Sequence, residues 1–531
     1  MNIRRAKKEI MDTVSAYLEK DEFGDYRIPE IRQRPVLLMG PPGIGKTQIM
    51  EHIAGECDLA LVAYTITHHT RQSAVGLPFI TQKEYGGRTF QVTEYTMSEI
   101  IASVYDRMEA SGKKEGILFI DEINCVSETL APTMLQFLQQ KTFGNQKVPG
   151  GWIIVAAGNP PEYNKSVRDF DVVTLDRVKV IDVEPDFEVW KEYAYDAGIH
   201  NAVISYLDIH RENFFRCETT VDGKRFVTAR GWEDLSEIIY AYEGLDRKVD
   251  MEVAVQYLQY PKIAQDFSNY LELFYKYRKD YQVDSILSGK IPEGTLLKLR
   301  YAPFDERLQI VSLLLSRLGG RFRHVKVQDT ETAHIFEFLK GFRTAMESEE
   351  GTENGTEAGA EAGSAERYSV FPQPAVLYEK QLEEIRTQVR RRIDAGQNEK
   401  ELKEEYRGVF RTLQSWMPDV KASGGDVWEL LREKFGTVRS DLEAEEQKTS
   451  EMLEYAFDFM EAAFGESQEM VFFITELSAN AGAMWFIGEN ECPRYYRYNK
   501  SLLFEDRGAD VRKQLDEIHG EMIGEGDIYR R

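Results

Sequence analysis

At 531 residues the chain is too long for one compact core, and two or three domains are expected. A hydrophobic content of 42% and a charged content of 29% place it among globular proteins. Its 66 basic and 90 acidic residues give a net charge of −24, which argues against tight duplex nucleic-acid binding, since that runs on clustered Lys and Arg.

Arg4, Arg5, Lys7 and Lys8 open the chain like a signal-peptide n-region, but Glu9, Asp12, Glu19 and Lys20 interrupt any apolar core behind them, so no signal peptide is expected. Pro35-Val36-Leu37-Leu38-Met39 then reads as a strand buried on both faces. It runs into Gly40-Pro41-Pro42-Gly43-Ile44-Gly45-Lys46-Thr47, a complete G-x-x-x-x-G-K-[ST]. Ile49 and Ile53 share one face of the helix expected next. Strand, glycine-rich loop and helix form a phosphate cradle, in which backbone N–H groups and the helix N-terminus face the anion. In that context Lys46 reaches the β- and γ-phosphates of ATP and the Thr47 hydroxyl ligates Mg²⁺.

Gly76-Leu77-Pro78 begins a stretch to Tyr95 whose Gly86-Gly87 is placed as a hairpin turn. Gly116-Ile117-Leu118-Phe119-Ile120 is a second buried strand and ends in Asp121-Glu122, 75 residues after Lys46. There Asp121 would sit beside the Mg²⁺ shell and Glu122 would polarise a water for in-line attack. Phe143 to Gly151 is turn-rich. The strand Trp152 to Ala157 ends in Gly158-Asn159-Pro160-Pro161, where a polar side chain can orient that water. Such apolar runs separated by helical patterns predict a parallel sheet covered by helices.

From about Pro185 to Lys290 the pattern is helical, with Trp232, Leu235, Ile238 and Ile239 at helix spacing. Glu347 to Glu366 holds seven glutamates and no basic residue, and reads as a flexible acidic linker. Beyond it two apolar stripes, Leu382, Ile385, Val389, Ile393 and Leu402, Tyr406, Val409, Leu413, mark packed helices. Met470 to Gly488 carries Glu476 and Asn480 and is too short and polar to span a bilayer. The four cysteines, Cys57, Cys125, Cys217 and Cys492, form no CxxC pair, which suits reduced thiols in a cytoplasmic protein.

The order Walker A, Asp121-Glu122, Asn159, Leu175-Asp176-Arg177 and Thr228-Ala229-Arg230 resembles the AAA+ ATPases of the MoxR branch over roughly residues 25–290. The resemblance implies an α/β P-loop NTPase core (1–184), an all-α lid (185–290), a helical connector (291–346), the acidic linker (347–368) and a mainly α-helical C-terminal region (369–531). It makes Asn159 sensor 1, Arg230 sensor 2, and Arg177 the arginine finger reaching a neighbouring subunit's ATP, with Arg168 as the rival finger. It places an insertion at the 76–95 stretch and a pre-sensor hairpin at 143–151. It also implies a ring, a hexamer, that remodels a partner protein carrying a von Willebrand factor A domain. A slow nucleotide-gated scaffold and a DNA-dependent motor are the competing readings, the second opposed by the acidic balance.

Overall fold

A computed structural model describes residues 1–68, 74, 76–143, 146–163, 167, 170–220, 223–350, 374–423 and 427–500. Its strands are β1 (Val36–Met39), β2 (Ala60–Thr65), β3 (Pro78–Tyr85), β4 (Arg88–Tyr95), β5 (Gly116–Asp121), β6 (Thr142–Phe143), β7 (Gln146–Lys147), β8 (Trp152–Gly158), β9 (Lys179–Asp182), β10 (Arg216–Thr220) and β11 (Gly223–Val227).

Five of them form one parallel sheet in the order β2-β5-β8-β1-β9. Because side chains alternate along a strand, each continuous apolar run supplies two cores at once. Leu37, Leu118, Ile120, Ile154 and Ala156 point into one. Val36, Leu38, Ile117, Phe119, Ile153 and Val155 point into the other, against Ile49, Met50 and Ile53 of the helix Lys46–Glu56 and Ala6, Ile10 and Val14 of the helix Ile3–Leu18. The three apolar runs read from the sequence are the three central strands, flanked by β2 and β9.

The chain divides into two compact units. The first holds the described residues of Met1–Val189, Phe214–Asp234 and Thr330–Gly436, and the second those of Trp190–Asn213, Leu235–Asp329 and from Thr437 onward. The stretch after Pro185 is helical with one exception to the all-α expectation, the antiparallel hairpin β10–β11. The two strands, Arg216-Cys217-Glu218-Thr219-Thr220 and Gly223-Lys224-Arg225-Phe226-Val227, carry no apolar stripe at helix spacing, and their β-branched and aromatic residues suit strand pairing. The acidic segment begins as helix, since the helix Phe304–Glu350 takes in 347–350, and 351–373 lies outside the described residues. The mainly helical C-terminal region is as expected, with helices Pro374–Asp394, Glu399–Ala422, Val427–Ala463, Gln468–Ala479 and Ala481–Asn490. Among the described residues no single helix is long and apolar enough to cross a membrane. The four cysteines, all among the described residues, form no disulfide.

Within the first unit, the two apolar stripes meet. Leu382 and Val389 on one helix and Leu402, Val409 and Leu413 on the other are buried, and the Tyr378 hydroxyl donates to the Leu413 carbonyl at 2.9 Å. The elbow between these helices covers an edge of the sheet. Leu61 N of the edge strand β2 donates to the Ala395 carbonyl at 2.7 Å, and Arg107 donates to the Asp394 carbonyl. An otherwise open strand edge is thereby capped within the chain. Gly396 is required there: its φ is +84°, and a Cβ would stand 2.5 Å from the Leu61 carbonyl oxygen. Gly396→Val is expected to lower stability by about 1–3 kcal/mol or more, read as a drop in melting temperature. An unchanged melt would show that the elbow is not held against β2.

Within the second unit, Lys191 donates to Asp208 at 2.5 Å and to Glu476 at 2.6 Å, with all three side chains 2–6% exposed, and Tyr195 donates to the second Glu476 oxygen at 2.6 Å. One buried cation thus serves two carboxylates, from helices distant in sequence. Burial, reinforced by the Glu476 carboxylate, pushes the Asp208 carboxyl up to about 7 against the pull of Lys191 and Arg211. Since its unfolded value is near 4, the folded unit holds this proton more tightly. Its stability is therefore expected to fall as pH rises from about 4 to about 7. Lys191→Met strands both carboxylates and is expected to cost about 3–5 kcal/mol in denaturant unfolding at neutral pH. A loss well under 1 kcal/mol would mean the cluster is not a stabilising element.

Candidate active site

The sheet order decides where the motifs go. β5, β8 and β1 are neighbours, so the segments following their C-terminal ends share one rim of the sheet. Those segments are Asp121-Glu122, Asn159 and the phosphate loop.

The loop itself is set by two left-handed glycines, Gly43 at φ +75° and Gly45 at φ +88°, the second capping the helix Lys46–Glu56. Gly40 packs against β9's exit, where a Cβ would lie 2.7 Å from the Val183 carbonyl oxygen. Pro41, Pro42 and Ile44 complete the turn, and the first helical turn carries no acidic residue to oppose an anion. Lys46 is buried, 8% exposed, and donates to the carbonyls of Gly40 and Pro41 at 2.8 Å each and to Asn159 Oδ1 at 2.9 Å. Burial pushes its ammonium down to about 8; Asp121 and Glu122 oppose that shift and Arg230 adds to it. A phosphate at this position would raise it again.

The Thr47 hydroxyl donates to Asp121 Oδ2 at 3.0 Å, while Asp121 Oδ1 accepts from Glu122 N at 2.8 Å. Two hard oxygen donors side by side fit a Mg²⁺ that takes its remaining ligands from water and phosphate. Glu122 has φ +57°, a left-handed conformation costing about 1–3 kcal/mol for a residue with a side chain. Its amide is held by Asp121 and its carbonyl accepts from Cys125 N at 2.8 Å, so the turn at the end of β5 is fixed from both sides.

Arg230 starts the helix Ala229–Gly244 and lies against the loop: a Cβ on Gly43 would stand 3.1 Å from Thr228 Cβ and 3.4 Å from Arg230 Cβ. The fold thus gathers Lys46, Thr47, Asp121, Glu122, Asn159 and Arg230. Arg177 is placed elsewhere, exposed after the short helix Val172–Leu175, where it donates to Gln139. Arg168 lies outside the described residues, as do Asn164, Lys165 and Ser166.

Both expected hairpins are present. β3 and β4 pair in register from Pro78↔Tyr95 to Tyr85↔Arg88 around Gly86 and Gly87, at φ +61° and +75°. Phe79, Ile80, Tyr85 and Phe90 are exposed on it. β6 and β7 pair just before β8, and Phe143 stacks on Phe137 at 4.0 Å; Gly144 and Asn145 lie outside the described residues.

The sequence reading missed Asn124. Its side chain is 3% exposed and binds the Asn159 backbone. An asparagine two residues after the acidic pair was the available signal, but nothing local distinguishes it from a turn residue.

The model of the ATPase family associated with various cellular activities (AAA) matches residues 36–174. That stretch is similar to the AAA family. The matched stretch covers β1 to the Val172–Leu175 helix, hence the phosphate loop, Asp121-Glu122 and Asn159, and stops short of Arg177 and Arg230. The crystal structure of "a putative ATPase" from Cytophaga hutchinsonii matches with 19% identity over 34% of this chain and 51% of that one, at a TM-score of 0.21. The chain therefore spans about half the length of that solved relative. The sequence has no match among curated proteins.

Proposed function

We propose that this chain hydrolyses ATP as a MoxR-like remodelling ATPase, working as a hexameric ring on a partner protein. The observation that carries the proposal is the convergence of Lys46, the Thr47–Asp121 pair, Glu122, Asn159 and Arg230 at one rim of the sheet. Lys46 and the helix N-terminus neutralise the phosphates, and Arg230 adds a cation from the same subunit. Thr47 and Asp121 would hold Mg²⁺, which would supply charge neutralisation for the phosphates. Glu122 accepts the proton of the attacking water, and Asn159 orients that water.

Arg177 serves the site of a neighbouring subunit. Its exposure favours that assignment over a role in its own subunit, as does the apolar surface beside it, with Val172 81% and Val173 56% exposed. The partner, by resemblance to the MoxR branch, is a protein with a von Willebrand factor A domain, and the exposed aromatic residues of the β3–β4 hairpin are the surface offered to it.

The deciding experiment is ATP hydrolysis per subunit measured across protein concentration, with mass followed in parallel. A specific rate that rises with assembly supports the ring. A concentration-independent rate from a monomer overturns it, and nucleotide binding without turnover would make the chain a nucleotide-gated module.

A further inference from the structure

We infer that Asn124 is a positioning residue, which sets the place of Asn159 relative to Lys46 and so governs turnover rather than nucleotide binding. The inference rests on the ATPase reading above.

β5 and β8 pair as parallel strands up to Ile120↔Ala156. After Asp121 the chain turns away at Glu122, and the backbone ladder between the two strands gives out. Three bonds extend the connection. Ile123 N donates to the Ala157 carbonyl at 2.9 Å. Asn124 Nδ2 donates to the Asn159 carbonyl at 2.8 Å, and Asn124 Oδ1 accepts from Asn159 N at 3.3 Å. The asparagine side chain carries an NH₂ donor group and a carbonyl acceptor in one plane, the same kinds of group that a peptide unit offers. It therefore pairs with both backbone groups of Asn159 where a strand neighbour would have stood.

Space between the two is tailored to this contact. A Cβ on Gly158 would come within 2.8 Å of Asn124 Oδ1, so a side chain there would displace the amide. With its backbone held on both sides, Asn159 presents Oδ1 to the Lys46 ammonium at 2.9 Å. The acidic turn and the water-orienting residue thus move as one piece. Removing Asn124 leaves a donor and an acceptor of Asn159 without partners in a half-buried setting, and the segment must shift to find others. A shift of about 1 Å in a positioning group is enough to lower a rate by about 10²-fold. The phosphate loop touches this segment at Gly40 N, 3.3 Å from the Gly158 carbonyl, and at Lys46, but the glycine conformations that shape it, at Gly43 and Gly45, are its own.

The test uses the full-length chain and measures kcat, ATP affinity and melting temperature for wild type, Asn124→Ala and Asn124→Asp. For Asn124→Ala, kcat is expected to fall by roughly 10- to 100-fold with ATP affinity little changed. Asn124→Asp adds a readout that a packing role would not move. Its neutral carboxyl offers the same donor and acceptor as the amide, whereas the carboxylate has no donor and faces the Asn159 carbonyl. The ratio of its kcat to that of wild type is therefore expected to fall as pH rises through the carboxyl's pKa. That ratio remains readable if Asn124→Ala fails to fold. Wild-type turnover in Asn124→Ala, a parallel loss of affinity and rate, or a pH-independent ratio would overturn the inference. Wild-type protein that binds ATP without hydrolysing it overturns the ATPase reading, and this one with it.

Discussion

Arg177→Ala is expected to lower ATP turnover by about 10³–10⁵-fold, equivalent to about 4–7 kcal/mol of transition-state stabilisation, without loss of nucleotide binding. As an arginine finger, its guanidinium would stabilise charge spread over the transferring phosphoryl group, where a loose transition state gives a protein little else to act on. In its own subunit Arg177 donates to Gln139 on the helix Ala131–Gln140 and stands apart from the groups around Lys46. An effect of that size must therefore come from assembly. Mixing Arg177→Ala with Glu122→Gln chains separates the cases: a finger supplied by the neighbour restores part of the turnover in mixed rings, since some interfaces recover both groups. Turnover of Arg177→Ala at the wild-type rate would remove the residue from the mechanism and turn attention to Arg168.

Glu122→Gln is expected to cost about 10²–10⁴-fold in turnover, the range for loss of a general base. The replacement is nearly isosteric, and the left-handed turn is held by backbone bonds to Asp121 and Cys125 that glutamine leaves in place. Folding and ATP binding should therefore persist, and the variant should accumulate in its ATP-bound state. Binding measured with a fluorescent ATP analogue beside a phosphate-release assay checks both halves. Normal phosphate release would assign proton acceptance to another group. Loss of binding as well would mean that Glu122 serves the loop's structure rather than the chemistry.

Much of the site was legible because its signals are local. The glycines of the phosphate loop answer to backbone geometry within eight residues, and an apolar strand ending in two carboxylates is readable without any partner. The apolar runs at 36–39, 116–120 and 152–157 already called for a parallel sheet, because only a strand covered on both faces can do without polar alternation. The hairpin at Gly86-Gly87 was likewise a matter of two residues that tolerate positive φ.

Other features depended on residues far apart in the chain. No spacing reveals that β8 lies between β5 and β1, yet that order brings Asn159 to Lys46 across 113 residues. Asn124 is an ordinary turn residue until its amide meets the Asn159 backbone. Gly396 became explicable only when Leu61 of the edge strand proved to be its neighbour. Lys191, Asp208 and Glu476 are unremarkable charges until burial forces them to share one site. The sequence alone determined the nucleotide-loop chemistry and the sheet's parallel character, since backbone conformation and strand burial are written in consecutive residues. Only the tertiary structure decided which side chains meet, because pairing across a sheet or between helices is set by packing over long chain separations.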